Sequence, residues 1–160
     1  LIACAVDCAT GERRAFDAAS GAPIERAVAA SCAVPGSFPP VTIDGARYTD
    51  GAVVSWTSAD LAARIAPDIV LIAAVCGVLP DRGTHRRAAG EIAQERAALE
   101  AAGASVRVVY LDEGAIAASG NVNMMDATKR VPTADAGEAQ GRRLADEIRA
   151  WWNGADGAVT

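Results

Sequence analysis

The stretch that decides the fold runs Ala29-Ala-Ser-Cys-Ala-Val-Pro-Gly-Ser-Phe-Pro-Pro-Val-Thr-Ile-Asp-Gly-Ala-Arg-Tyr-Thr-Asp-Gly-Ala-Val-Val-Ser-Trp-Thr-Ser-Ala-Asp-Leu61. Val41-Thr42-Ile43 and Ala46-Arg47-Tyr48 are short β-prone runs. The pair between them, Asp44-Gly45, suits the positive φ angles of a tight turn, so the spacing predicts a hairpin. That hairpin delivers Asp50 to a strand end. Gly51 follows at once, and a glycine there permits unusual backbone shapes and the close approach of another group.

Upstream, Phe38-Pro39-Pro40 forms a rigid connector, because proline fixes its own φ and restrains the residue before it. Pro23 suits the first turn of a helix carrying Ile24, Ala27, Val28 and Ser31 and ending before Pro35-Gly36. The chain opens with Leu1 to Val6 as a strand already under way, turns at Ala9 to Glu12, and returns through Arg13 to Phe16. Because the first residue is Leu rather than Met, the polypeptide is expected to start further upstream.

Downstream, Thr57 with Asp60 resembles a helix start, and a helix is expected from Ser58 to about Ala66, closed by Pro67-Asp68. Ile69 to Val75 is a continuous apolar run of strand length, the pattern of a parallel strand covered on both faces. Pro80 to Arg87 reads as a polar loop holding the only histidine, His85, among Arg82, Arg86 and Arg87. Those charges disfavour imidazolium, so a solvated loop or helix-start residue is the favoured reading over a catalytic base. Alanine-rich Ala88 to Ala102 is a helix stopped by Gly103, and Val106 to Leu111 is another strand. A final helix spans about Asp135 to Trp152, with Asn153 to Thr160 as a frayed tail. Its stripe of Leu144, Ile148 and Trp151 or Trp152 fits core packing better than peripheral membrane contact, because the opposite face mixes both signs of charge. Alternating helices and strands point to an α/β layer with a mainly parallel sheet.

With 160 residues, 51% hydrophobic and 22% charged, the chain is in the range of one globular domain with a substantial core. The net charge of −5 offers no basic face for a phosphate backbone, so nucleic acid is set aside as a partner. No apolar run approaches the ~18 residues of a spanning helix. Cys4, Cys8, Cys32 and Cys76 are scattered among small or apolar residues, which favours buried thiols in a reducing compartment, and a cytoplasmic location is the working expectation. Asp7, Asp60, Asp112 and Asp126 lack metal-ligand spacing, and no glycine-rich phosphate loop occurs, so neither metal nor cofactor is expected.

The block Ala-Ser-Cys-Ala-Val-Pro-Gly-x-Phe-Pro-Pro-Val followed by Tyr-x-Asp-Gly resembles the patatin-like phospholipases, a family of lipid acyl hydrolases. The likeness extends to Thr57 through Ala62, to Gly120 through Asp126 and to Ala136 through Gly141, similar to a bacterial branch of the family. It implies a three-layer α/β fold with a mainly parallel central sheet, of which residues 1–152 would be the C-terminal part of a single domain. It also implies that Asp50 is the catalytic carboxylate and Gly51 its motif partner. By spacing alone Asp50, like Asp44, would read as a turn residue bonding its own backbone.

The family usually has Asp-Gly-Gly where this chain has Asp50-Gly51-Ala52. Its Gly-x-Ser-x-Gly nucleophile turn and its oxyanion loop lie upstream of this block, and neither occurs in these residues. Ser31 and Ser37 sit in no such elbow and read as helix-end or turn hydroxyls. The resemblance therefore implies a Ser-Asp dyad acting on a lipid or other carboxylic ester, with the serine supplied by an upstream segment and this chain inactive alone. A non-catalytic module of the same fold, binding lipid or protein, is the alternative; oligomeric state is left open.

Overall fold

The hairpin takes its shape from Asp44 and Gly45, which adopt φ of 49° and 81°, the positive pair that matches the twist of two antiparallel strands. In the computed structural model, which describes residues 1–74, 83–120 and 126–155, this turn joins β3 (Val41–Ile43) to β4 (Ala46–Asp50), with Val41 opposite Tyr48. The other edge of β4 pairs antiparallel with β1 (Ala3–Asp7), placing Ala5 opposite Asp50. A second hairpin pairs β1 with β2 (Arg13–Phe16), and the sheet order is β2-β1-β4-β3.

The chain divides into two units, Leu1–Ser58 and Ala59–Thr160. In the first, α1 (Ile24–Ser31) begins where Pro23 predicts and lies on the sheet through Ala27 and Ala30. Those small side chains pack with Ala3, Ala5, Phe16 and Ile43, while Tyr48 meets Phe16 edge to face at 5.1 Å. Phe16 and Ile43 are the large apolar side chains of this core, each worth about 1.5–3 kcal/mol when buried.

In the second unit, the expected helix after Ser58 is a 3₁₀ helix, Ala59–Ile65. Left-handed residues bound it, Ser58 at φ 49° and Ala66 at φ 44°. Pro67 disfavours the right-handed α region for Ala66 and so ends the helix there, though it does not itself account for a positive φ. β5 (Ile69–Ala74) and β6 (Ser105–Tyr110) pair in parallel, joined by the crossover helix α2 (Gly83–Ala101), as parallel neighbours require. Ile72 and Val106 pack with Leu99 of α2.

The opposite face of this pair is met by α4 (Arg130–Ala155), whose Trp151 indole donates to Ser105 Oγ at 3.0 Å and whose Glu147 pairs with Arg107. Helix, sheet and helix thus form three layers here. Leu71 stays 40% exposed, so the expected cover on both faces of β5 is incomplete. Between β6 and α4, α3 (Glu113–Ser119) is capped by Asp112, whose Oδ1 accepts from the Ala115 amide at 2.9 Å. Gln140, buried on α4, ties these pieces together: its amide donates to the Tyr110 carbonyl at 2.6 Å and its oxygen accepts from the Asp112 amide at 3.2 Å.

The α/β class therefore holds, with the parallel pairing in β5 and β6. Asp50's own sheet is antiparallel: Asp44-Gly45 and the turn after Asp7 are too short for a crossover, and β4 also runs antiparallel to β1. Three further expectations are corrected. Helix α2 begins at Gly83, inside the expected loop, and α4 runs to Ala155, past the expected tail boundary at 153. Cys8 and Cys32 are exposed rather than buried, since one lies in the β1–β2 turn and the other ends α1; with half-buried Cys4 they are free thiols. Cys76 lies outside the described residues.

Candidate active site

Asp50 is the last residue of β4, and its backbone (φ −51°, ψ 135°) leaves the strand to open a 3₁₀ turn, Gly51–Val53. Its Oδ1 accepts the Ala52 amide at 2.8 Å. This is the Asx-type cap that short-range reasoning assigns to an Asp-Gly pair, and it commits one carboxylate oxygen while a second remains for another donor. The Val54 and Ser55 amides both donate to the Gly51 carbonyl at 3.1 Å, which closes the turn.

Gly51 is required by space. A Cβ built on it would lie 2.5 Å from the Cys4 carbonyl oxygen, 3.0 Å from its carbon and 3.3 Å from Cys4 Cβ. Its φ is not among the positive ones. Of the two reasons a glycine could follow Asp50, the close approach of β1 is the one at work. Ala52 likewise avoids positive φ, so alanine meets no backbone penalty where the resembled motif carries a third-position glycine.

A cavity of about 200 Å³ opens beside the carboxylate, lined by Asp50, Cys4, Ser31, Ser55, Trp56 and Thr57 among others. Ser55 is buried, and its Oγ accepts the Ser58 amide at 2.9 Å, folding the chain after the 3₁₀ turn into one wall. Ser31 reaches this cavity from the last residue of α1. A helix C-terminus offers carbonyl oxygens rather than amides, the wrong polarity for holding an oxyanion beside that hydroxyl.

The other candidates lie elsewhere. Ser37 belongs to the turn after Pro35, where its amide donates to the Val34 carbonyl at 3.0 Å. Asp7 caps its own turn by accepting from the Ala9 amide at 2.8 Å, and Asp126 accepts from the Thr128 amide at 2.9 Å. Thr128 pulls the Asp126 carboxyl below its usual range through its hydroxyl and amide donors. His85 lies in the first turn of α2, in the second unit. Among the described residues no three His, Cys, Asp or Glu side chains are grouped to hold a metal.

Two residues to which the sequence reading gave no role also bear on Asp50. The Ala33 carbonyl accepts the Asp50 amide at 3.1 Å and the Thr49 hydroxyl at 2.8 Å. Ala33 belongs to the Ala-Ser-Cys-Ala-Val-Pro-Gly block and Thr49 to the Tyr-x-Asp-Gly block, so the two halves of the sequence pattern meet at this one oxygen. Their co-occurrence 16 residues apart was the only signal.

No curated protein shows a significant match to the chain. The family model described as patatin-like phospholipase matches residues 1–63, the stretch that holds the sheet of Asp50, its cavity and both sequence blocks, so over that stretch the chain is similar to the patatin-like phospholipases.

Proposed function

We propose that Asp50 is the general base of a serine carboxylic-ester hydrolase acting on lipid or related esters, paired with a serine from a Gly-x-Ser-x-Gly turn that these 160 residues do not contain. The observation that carries this reading is the presentation of Asp50 at the end of β4 beside an open cavity, with Oδ1 held by the Ala52 amide. Such a carboxylate takes the serine proton on its free oxygen as the serine Oγ attacks the ester carbonyl. The protonated acid then gives that proton to the leaving alkoxide, yielding an acyl-enzyme and the free alcohol. In the second half the same carboxylate takes a proton from water, hydroxide attacks the acyl carbon, and the proton returns to the serine.

No histidine is needed in this scheme. Asp50 alone has nothing to activate, so hydrolysis requires the nucleophile and oxyanion donors together with it. The non-catalytic alternative drew on Ala52 as a departure from Asp-Gly-Gly and on the nucleophile missing from these residues; the ordinary backbone of Ala52 removes the first support, and a Gly-x-Ser-x-Gly turn in the full gene would remove the second.

The test is Asp50→Asn in the intact protein, assayed on a short-chain nitrophenyl ester. Loss of the base should lower turnover about 100- to 10,000-fold with an unchanged thermal transition. Activity within a few-fold of wild type would refute the assignment.

A further inference from the structure

We propose that Thr49 is the positioning residue for Asp50, a role that rests on the dyad reading above. The pairing of β3 with β4 ends at Val41 opposite Tyr48, so Thr49 and Asp50 extend beyond their hairpin partner. The vacated edge is taken by the Ala33 carbonyl. A carbonyl oxygen has two lone pairs, and here one receives the Asp50 amide at 3.1 Å and the other the Thr49 hydroxyl at 2.8 Å.

One hydrogen bond at a strand end is a pivot. Two bonds from consecutive residues to the same oxygen fix the direction in which the strand leaves the sheet, and that direction aims the carboxylate. Ala33 is only 2% exposed, so water does not readily replace a lost donor there. Threonine suits the task because its β-branched side chain has few rotamers, and a hydroxyl bound at one of them holds the backbone as well as itself. From the other edge, Ala5 pairs opposite Asp50 and the Cys4 carbonyl packs on Gly51. The Thr49 hydroxyl is therefore the side-chain contact that completes the clamp around the base.

Thr49→Val keeps shape and strand preference while deleting the donor. In the intact protein it should lower kcat about tenfold with KM within about twofold, because misplacing a catalytic group by a fraction of an ångström costs turnover before binding. Thr49→Ser, which keeps the hydroxyl, should recover kcat to within about threefold of wild type on the same grounds. Should Thr49→Val not fold, Thr49→Ala against Thr49→Ser gives the same comparison without added bulk. Asp50→Asn is measured alongside. If it abolishes turnover while the hydroxyl-free variants retain full kcat, Thr49 does not position the base and the dyad stands. If Asp50→Asn is active, the dyad is wrong and the role of Thr49 falls with it. A loss that appears in KM, or that serine does not rescue, also overturns the proposal.

Discussion

Gly51→Ala tests the contact on which the geometry of Asp50 depends. The added Cβ would stand 2.5 Å from the Cys4 carbonyl oxygen and 3.0 Å from the carbonyl carbon, whereas favourable contacts of this kind begin near about 3.5 Å. The obstacle is backbone, held in register on both sides, since Cys4 lies opposite Ala15 and its neighbour Ala5 lies opposite Asp50. No rotamer change relieves it, so strand or turn must move by up to about an ångström. Overpacking of this kind costs about 1–3 kcal/mol. Because φ at Gly51 is not positive, the usual gain from stiffening the unfolded chain, about 0.4–1 kcal/mol, still applies. The midpoints of the two ranges leave about 1.3 kcal/mol of destabilisation. Gly90→Ala supplies the opposite case: it lies inside α2 with nothing within 4 Å of the added Cβ, and should stabilise by about 0.5–1 kcal/mol. Urea unfolding of both variants in the intact protein reads the two signs. If Gly51→Ala is as stable as wild type, β1 does not approach Gly51 as described; if Gly90→Ala falls as well, the loss at Gly51 cannot be assigned to that contact.

Gln140→Leu should cost about 1–3 kcal/mol in urea unfolding, because it strips partners from the Tyr110 carbonyl and the Asp112 amide inside the second unit. Asp112 carries a pH signature: the Ala115 amide foremost, with the Arg143 guanidinium beside it, holds its carboxyl below the ordinary 3.8. A depressed folded value means that the contribution is complete above the unfolded pKa and is lost as pH falls through the folded one, so Asp112→Asn should flatten the acid limb below about pH 4 in a pH series of urea midpoints. His85→Ala should leave ester turnover within about threefold of wild type, far short of the 100-fold or more lost with a general base; abolished turnover with intact folding would replace the dyad by a histidine-based triad.

The residues that announced the fold were those whose local chemistry leaves few choices. Asp44-Gly45 fixed a hairpin, Pro23 a helix start and Gly103 a helix stop, and each lies where those residues put it; of the strand expected from Ile69 to Val75 the described part is Ile69–Ala74, Val75 lying outside the described residues. Positions set by competition were harder to read. Thr57 and Asp60 suggest a capped α-helix, but Pro67 pushes Ala66 out of the α region and Ser58 is left-handed, so the segment closes as 3₁₀. Helix α3 was carried by Asp112 as its cap, a signal easily lost because the same carboxylate also meets Arg143 of α4. At the proposed site, Asp50 was singled out by its sequence block. The acceptor that holds it was not, because a backbone carbonyl such as that of Ala33 has no residue signature.

The turn geometry of Asp50 is compatible with the base role proposed for it. A base that contacts a serine directly, with no histidine between them, must hold one rotamer, since a swing of the carboxylate breaks the only proton path. The cap from Oδ1 to the Ala52 amide supplies that restraint with a backbone donor two residues away. Asp44 shows the contrast: the dipeptide is the same, yet its positive φ spends the residue on reversing the chain. After Asp50 the chain continues through Gly51–Val53, where the Gly51 carbonyl collects two amides, and Ser55 is thereby buried with its hydroxyl on the Ser58 amide. One short turn thus orients the carboxylate and raises the wall of the cavity it faces. Such a site depends on a glycine that can lie against β1 more than on the residue after it, which accounts for Gly51 being fixed by contact and Ala52 being free to carry a side chain.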